Sequence, residues 1–516
     1  PTAALQNAPR LSYRASGAPR AGQPDTGQRP DRPRRAARTP SFPASCPAVT
    51  TPAFLQYEHY AVLGAGASGR STSRLLLDRG KRVTLFDDYA DPAAGNLQPL
   101  RERGAALQFG PPQTTAAALA QVQACVVSPG IPIDHPFIAE ARRRGKAVLA
   151  EIELGWLLRG GARVAAITGT NGKTTVTMLL QRLLEEGGLD SIAAGNIGLP
   201  MTEAVTARAG EALARTIFAV EISSFQLETT DAFAPEVAVI LNVTPDHLDR
   251  HGSMEAYTRA KARITGRQRA DHVLVVNQDD AACLAIAAAS RARIRRFSLE
   301  RPVQDGAWLD GELIMIIEPG QRPRRLIAID ELKMVGLHNV ANAMAAACAA
   351  QVLGVGREAI AATLAAFRSA PHRMEIVATR DGVTYINDSK ATNLDAMVQA
   401  VSSFEGGIHL IAGGRDKASP FDTITHHLER RVRRLYLIGE AAADMEQAWG
   451  ERIECRQCGT LANALSEATA AAADGEIILL SPGCASFDQF QSYADRGRQF
   501  VDWVNALPPN PVPRPS

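Results

Sequence analysis

The sequence predicts an α/β protein of three domains, each a mostly parallel sheet flanked by helices. Short apolar runs alternate along the chain with longer helix-patterned stretches, the pattern that βα crossovers produce. Two of these runs end in glycine-rich turns that lead straight into a helix, at 64–69 and 169–172. The 516 residues amount to about three domains at roughly 100–200 residues each.

Residues 60–63 read as the first strand, Gly64-Ala-Gly66-Ala-Ser-Gly69 as its turn, and the stretch through Leu77 as a helix. A second strand, 82–86, ends at Asp87-Asp88. The G-x-G-x-x-G spacing with an acid 18 residues beyond Gly69 matches a dinucleotide fingerprint, so NAD binding stands beside a plain tight turn as readings of this segment. Another strand, 124–127, runs into Ser128-Pro129-Gly130, at a strand end where open α/β sheets place ligands. A second region starts near Glu151, with a strand at 163–167 and further buried strands at 217–221, 237–242 and 272–277. A third begins near Ser369, with strands at 383–387, 408–412, 434–438 and 476–480. The expected organisation is a leader 1–55, domains 56–150, 151–368 and 369–507, and a tail 508–516.

Composition narrows the function. Apolar residues make up 46% and charged residues 21%, and no apolar run approaches the ~20 residues of a membrane span, so no membrane role is expected. The leader carries eight arginines against Asp25 and Asp31, and its +6 set against +2 for the whole leaves −4 for the remainder. That mildly acidic body argues against nucleic acid. The leader also holds ten of the 31 prolines and little apolar periodicity, which predicts disorder; an upstream extension fits better than a transit peptide. Seven scattered cysteines suit a reducing cytoplasm, and Cys455-x-x-Cys458 has no second pair to complete a zinc site.

The chemistry concentrates after the strand at 163–167, in Thr168-Gly169-Thr170-Asn171-Gly172-Lys173-Thr174-Thr175. A glycine turn with a lysine and hydroxyls at a helix N-terminus aims backbone N–H groups and the helix dipole at phosphates. The general phosphate-loop pattern asks for glycine where Ile167 stands, so this loop is a shortened variant. Glu221 ends a strand of the same sheet, where a nucleotide-bound Mg²⁺ needs a hard oxygen ligand. Asp246, His247, Asp249 and His251 crowd the segment after the next strand, as ligands or as turn residues. In the third region the segments 370–375, 387–393 and 413–417 place cations and hydroxyls at strand ends, and Ser481 to Phe490 adds hydroxyls at a strand-to-helix junction where Ser486 or Asp488 could also be a cap.

Together these motifs resemble the Mur ligases over about residues 58–505, and the shortened loop is that family's version. Asp388-Ser-Lys-Ala-Thr-Asn393 and 480–490 resemble the members that add D-glutamate. The resemblance implies Rossmann-like first and third domains around a central phosphate-loop ATPase-like domain. It implies ATP-dependent joining of D-glutamate to UDP-N-acetylmuramoyl-L-alanine through an acyl phosphate, in cytoplasmic peptidoglycan precursor synthesis, by a monomer using ATP and two Mg²⁺ ions. By the same likeness Gly169, Thr170, Asn171, Gly172, Lys173, Thr174, Thr175, Asn339, Asn342, Arg373 and Asp388 bind ATP, while Thr174, Glu221, His247 and a carbamylated Lys261 bind metal. Lys173, His247, Lys261 and Lys390 carry the catalysis. The UDP substrate, not NAD, falls to Ala67, Ser68, Gly69, Asp87, Ser128, Pro129 and Gly130, with Asn196, a nucleotide-side position, assigned to it as well. D-Glutamate falls to Thr392, Lys417, Ser486 and Tyr493, where phenylalanine is usual in the family. A folylpolyglutamate synthase uses a similar ATP loop but lacks the N-terminal domain that residues 58–150 supply.

Overall fold

The apolar runs pair into three sheets, one per region. The structure is a computed structural model and describes residues 54–88, 97–110, 119–318, 320–368, 371–416 and 419–507. The expected disordered leader lies outside the described residues up to position 53, and the tail lies outside them too; Phe54 and Leu55, expected in the leader, are instead helical, with Phe54 fully buried in the first core because its ring packs on Tyr57 and Tyr60.

The first sheet is parallel throughout. It comprises β1 (His59–Leu63), β2 (Arg82–Asp87), β3 (Ala106–Phe109), β4 (Ala124–Val127) and β5 (Ala147–Ala150) in the order β3-β2-β1-β4-β5. Strand order therefore reverses between β1 and β4, which opens a crevice at the carboxyl ends of those strands. Gly69 allows the helix Ala67–Asp78 to press onto that turn: a Cβ there would lie 1.7 Å from the Gly64 carbonyl oxygen.

The central sheet holds nine strands: β6 (Arg163–Thr168), β7 (Ser191–Gly195), β8 (Ile217–Glu221), β9 (Val237–Ile240), β10 (Val273–Asn277), β11 (Arg293–Ser298), β12 (Gly306–Asp310), β13 (Leu313–Ile317) and β14 (Arg324–Ala328). Their order is β14-β13-β12-β11-β10-β9-β6-β8-β7, parallel from β7 to β12 and antiparallel beyond. The antiparallel meander was not foreseen from the apolar pattern, although Asp310-Gly311, with Gly311 at φ 59°, is a strong hairpin signal. The helix Leu337–Val352 is buried along most of its length because small residues, chiefly alanine, let it lie close to the sheet and to the helix Lys173–Glu186.

The third sheet runs β15-β16-β20-β17-β18-β19, with β15 (Glu375–Arg380), β16 (Val383–Asn387), β17 (Ile408–Gly413), β18 (Val432–Ile438), β19 (Cys455–Gly459) and β20 (Ile477–Gly483). Only β15 is antiparallel, as a hairpin on β16. Cys455 packs beside the core layer containing Trp449, whereas Cys458 lies in the layer containing Leu461, so strand alternation sends the two thiols to opposite faces. That geometry sets aside a joint zinc or redox role for the pair.

The first two domains are joined through a buried carboxylate. Thr202 donates its amide and its hydroxyl to Glu151 Oε1, at 2.6 and 2.7 Å, and the same hydroxyl oxygen lies 2.9 Å from Ser71 Oγ on the helix Ala67–Asp78. Burial pushes the Glu151 carboxyl up from 4.5 to about 7, against those two hydrogen bonds. A carboxyl raised on folding stabilises fully below its unfolded value and loses that contribution as pH rises through about 7. Glu151→Gln should therefore flatten the fall in thermal unfolding midpoint between about pH 5 and 7.5 that the unaltered chain shows; identical pH profiles for the two proteins would contradict the assignment.

Candidate functional site

The phosphate loop takes its shape from glycine backbone freedom and two lysines. After β6, Gly169 (φ 156°) and Gly172 (φ 83°) turn the chain into the helix Lys173–Glu186. Lys173 Nζ donates to the carbonyls of Gly169 and Thr170, at 2.9 and 2.7 Å. Lys261 Nζ, on the helix Met254–Ala262, donates to the same Gly169 oxygen at 2.8 Å and lies 4.5 Å from the centre of the Tyr257 ring. Lys261 is only 1% exposed. Burial first, and the charge of Lys173 second, lower its pKa well below the ordinary lysine value, with Asp246 opposing. Burial likewise lowers Lys173, with Glu221 and Asp246 opposing and Arg373 adding to the fall.

Glu221 closes the other side of the loop. Thr174 donates its hydroxyl to Glu221 Oε2 at 2.7 Å, and Asn196 donates its amide to Oε1 at 2.8 Å. Asn196 thus sits beside Glu221 and the phosphate loop, apart from the residues at the ends of β1, β2 and β4. The hydroxyl and carboxylate form a hard-oxygen pair at the loop, the donor type Mg²⁺ takes. Among the described residues no three His, Cys, Asp or Glu side chains converge into a metal site.

His247 adopts a left-handed conformation (φ 55°), its backbone N–H held by Asp246 Oδ1 at 2.9 Å and its ring 4.9 Å from that of Phe225. His251 turns away to Ser224 Oγ (3.0 Å) and Glu228 (3.3 Å), a structural role. The Asp249 side chain lies outside the described residues.

The C-terminal domain faces this loop. His372 (φ 66°) and Met374 (φ 47°) flank Arg373 in left-handed backbone, fixed by Asn387 Nδ2 on the His372 ring (2.9 Å) and by Asp388 Oδ1 on the Met374 N–H (3.2 Å). Among the described residues, three of the four non-glycine positions with positive φ lie in or beside the site, where backbone strain commonly concentrates. Arg373 is lowered by burial against the fields of Glu221, Asp388 and Tyr493, so residues of both domains share one electrostatic environment. Burial raises Asp388 to about 7 despite the Ser481 hydroxyl at 3.0 Å. Lys390 Nζ lies 3.8 Å from the Tyr493 ring centre. A phenylalanine offers the same ring face, which makes Tyr493 a mild departure. Thr392 follows in the same loop and Ser486 is buried after β20; Lys417 lies outside the described residues. Neither Ser486 nor Asp488 caps the following helix: Ser492 does, accepting from Asp495 N at 3.1 Å.

A cleft of about 260 Å³ lies between the two domains next to the loop, with Gly172, His338 and Asn342 on one wall and Gln399 and Ser403 on the other. Asn342 donates to Asn339 Oδ1 at 3.1 Å, and burial holds the His338 ring at about 4, hence neutral. Ala67, Ser68, Gly69, Asp87, Ser128, Pro129 and Gly130 gather separately at the carboxyl ends of β1, β2 and β4. There Asp87 Oδ2 accepts from Ala65 N at 2.7 Å, and a smaller recess adds His135, paired to Asp88 at 3.0 Å. His338 and His135 carry no local motif, and sequence reading passed over both.

Comparison with known proteins separates this arrangement from other ATP-dependent enzymes. Residues 58–150 match the Mur ligase MurD-like N-terminal domain, 167–350 the Mur ligase middle domain and 372–484 the Mur ligase glutamate ligase domain. UDP-N-acetylmuramoylalanine–D-glutamate ligase of Acidobacterium capsulatum is 40% identical over 447 residues, 86% of this chain and 95% of that protein. The chain belongs to the Mur ligase family. The enzyme of the same name from Myxococcus xanthus is also 40% identical, over 453 residues, 86% of this chain and 98% of that one. MurF from Acinetobacter baumannii shares the fold at a TM-score of 0.55 and 17% identity, covering 86% of this chain and 93% of its own.

Gly172 provides a direct test of the loop. A Cβ there would stand 2.3 Å from Asn342 Oδ1 on a backbone at φ 83°. Gly172→Ala should weaken ATP binding by about tenfold or more, since left-handed backbone alone costs a side chain ~1–2 kcal/mol. Calorimetric titration with ATP, alongside unchanged binding of UDP-N-acetylmuramoyl-L-alanine, checks this.

Proposed function

We propose that this Mur ligase joins D-glutamate to UDP-N-acetylmuramoyl-L-alanine at the expense of ATP, in the cytoplasm, as a monomer that contributes to peptidoglycan precursor synthesis. The observation that carries the reading is that Arg373, beside Asp388 in the C-terminal domain, shares one electrostatic environment with Lys173 and Glu221 of the central domain, in a chain 40% identical to named D-glutamate ligases. No helix of the described residues is long and apolar enough to cross a membrane, in keeping with soluble nucleotide-linked substrates.

A carboxylate is a poor electrophile until one of its oxygens becomes a leaving group. In the first step the carboxylate of the alanyl substrate attacks the γ-phosphorus of ATP, ADP departs, and an acyl phosphate forms. The amine nitrogen of D-glutamate then attacks the acyl carbon; the C–O bond to phosphate breaks, phosphate leaves and the amine releases its proton. Most of the enzyme's contribution to such transfers is positioning and charge neutralisation. The loop N–H groups and Lys173 receive the β and γ phosphates, Arg373 and Lys390 approach from the C-terminal domain, and Asn339, Asn342 and His338 line the space for the base. Thr174 and Glu221 would hold one Mg²⁺, and His247 with Lys261 a second. Those ions supply charge neutralisation at the transferring phosphoryl group. The UDP moiety occupies the ends of β1, β2 and β4, and Thr392, Lys417, Ser486 and Tyr493 receive D-glutamate.

Lys261 as an ammonium opposes a metal role, whereas its carbamate is an anion. Carbamylation requires the neutral amine, which burial favours here. Intact-protein mass measured under CO₂-rich native conditions should show one added CO₂ that Lys261→Arg lacks, and activity should fall on CO₂ depletion; activity independent of CO₂ with no adduct would reject the modification.

A phosphate-release assay with ATP, UDP-N-acetylmuramoyl-L-alanine and a panel of D- and L-amino acids tests the activity. Release should require both co-substrates and be strongest with D-glutamate. Lys173→Ala should lower turnover by at least about a thousandfold while sparing binding of the UDP substrate, because the transferring phosphoryl group loses a buried cation. NADH binding at the first domain without competition from the UDP substrate would count against the whole reading.

A further inference from the structure

The C-terminal wall of the nucleotide cleft is held in place through one side chain. Asp395, near the start of the helix Leu394–Ser402, directs Oδ2 at three donors: Asn171 Nδ2 in the phosphate loop at 2.5 Å, Thr244 Oγ1 after β9 at 3.0 Å, and Gln399 Nε2 one turn along its own helix at 2.8 Å. Its neighbour Asn393 caps the helix through Oδ1, accepting from Ala396 N at 2.8 Å, and extends Nδ2 to Asp246 Oδ2 at 3.0 Å. The N-terminus of a single helix thus bonds to both catalytic loops of the central domain.

Each partner of Asp395 has its own connection to the nucleotide. Asn171 is a loop residue whose backbone N–H is clamped to Asn242 Oδ1 at 2.8 Å. Gln399 lines the cleft opposite Gly172 and Asn342. Thr244 donates its backbone N–H to Thr170 Oγ1 at 3.0 Å and stands two residues before Asp246. One carboxylate oxygen therefore fixes the loop that takes phosphates, the helix that walls the cleft and the segment leading to His247.

We propose that Asp395 is a positioning residue that registers the C-terminal domain on the phosphate loop, so that base and phosphates of the nucleotide are gripped by two domains together. The inference rests on the ATP-dependent ligase reading above. When the domains part, Asp395 exchanges the Asn171 and Thr244 donors for water; when they dock, the same step brings Gln399 to the cleft and Arg373 and Lys390 to the loop. Removing the carboxylate removes the shared acceptor, and Asp395→Asn restores one acceptor oxygen at the same place.

The test uses the full chain, Asp395→Ala and Asp395→Asn, in three measurements: steady-state phosphate release with ATP varied, calorimetric binding of UDP-N-acetylmuramoyl-L-alanine, and small-angle scattering without ligand. Asp395→Ala should raise the KM for ATP about tenfold or more, expand the scattering envelope and leave binding of the UDP substrate within about twofold, with Asp395→Asn between the two. Asn171→Ala added to Asp395→Ala should cost little more than either change alone, since the two act as one unit. An unchanged KM for ATP in Asp395→Ala overturns the proposal. So does a parallel loss of UDP-substrate binding, which would make the residue merely structural. Scattering reads docking without turnover: an unaltered chain that releases no phosphate, yet opens on Asp395→Ala, sinks the ligase reading and leaves the docking residue standing.

Discussion

Two lysine side-chain nitrogens donate to one carbonyl oxygen, that of Gly169, and the rest of the site is arranged around that fact. Hydrogen bonds of 2.9 and 2.8 Å to a common acceptor hold the nitrogens within about 6 Å of each other, where two unit charges would repel by about 3 kcal/mol at an effective dielectric constant near 20. That repulsion adds to burial in favouring the neutral amine at Lys261. Glu221 and Asp246 supply compensating fields for Lys173, and Arg373 adds a second cation from the opposite domain. Lys173 and Arg373 are thus the cations that meet an incoming anion. A triphosphate supplies several negative charges at the point toward which loop N–H groups and the helix dipole are also aimed.

The need for a cation on each side of an anion explains why the site spans domains. One sheet can aim one loop and one or two strand-end side chains at a ligand, and β6 and β8 do so with Lys173, Thr174 and Glu221. Neutralising charge around the transferring phosphoryl group needs further cations from another direction. The third sheet delivers them on the loops after β16 and ahead of β15, where the left-handed backbone at His372 and Met374 is held by bonds from Asn387 and Asp388. Strain is tolerable there because surrounding hydrogen bonds over-determine the loop. A flexible loop would deliver Arg373 less accurately.

What the sequence disclosed follows the same division. The first and central βαβ units could be read because glycine, lysine and hydroxyl residues at fixed spacing have local causes, and β8 has the bounds its apolar run marks. The strands β3, β5, β7, β11, β12, β14, β15 and β19 were missed, mostly short runs interrupted by polar residues, and β13 was missed although its run Leu313–Ile317 is wholly apolar. Lys261 looked like a helix-surface lysine, and only neighbours distant in sequence bury it. Asp395 went unremarked in the sequence, and its bond to Asn171 joins positions 224 residues apart. Local pattern revealed the parts that bind by backbone; it was silent on side chains whose role is set by another domain.

That silence has a physical source. Among the described residues the side-chain hydrogen bonds tying the helix Leu394–Ser402 to the central domain are Asp395 to Asn171 and Thr244, and Asn393 to Asp246, beside the packing of Val335 on the C-terminal core. Hydrogen bonds of this kind each contribute about 0.5–1.5 kcal/mol net, because separated domains would bond to water instead. Such an interface can form and dissolve as substrates enter and products leave, which an apolar seam of similar extent would resist. Between the first and central domains, by contrast, residues from Phe54 to Ala292 belong to a single continuous apolar core. The chain thus joins its first domain to the central one by hydrophobic burial, and ties the helix Leu394–Ser402 of the C-terminal domain to the phosphate loop by polar bonds.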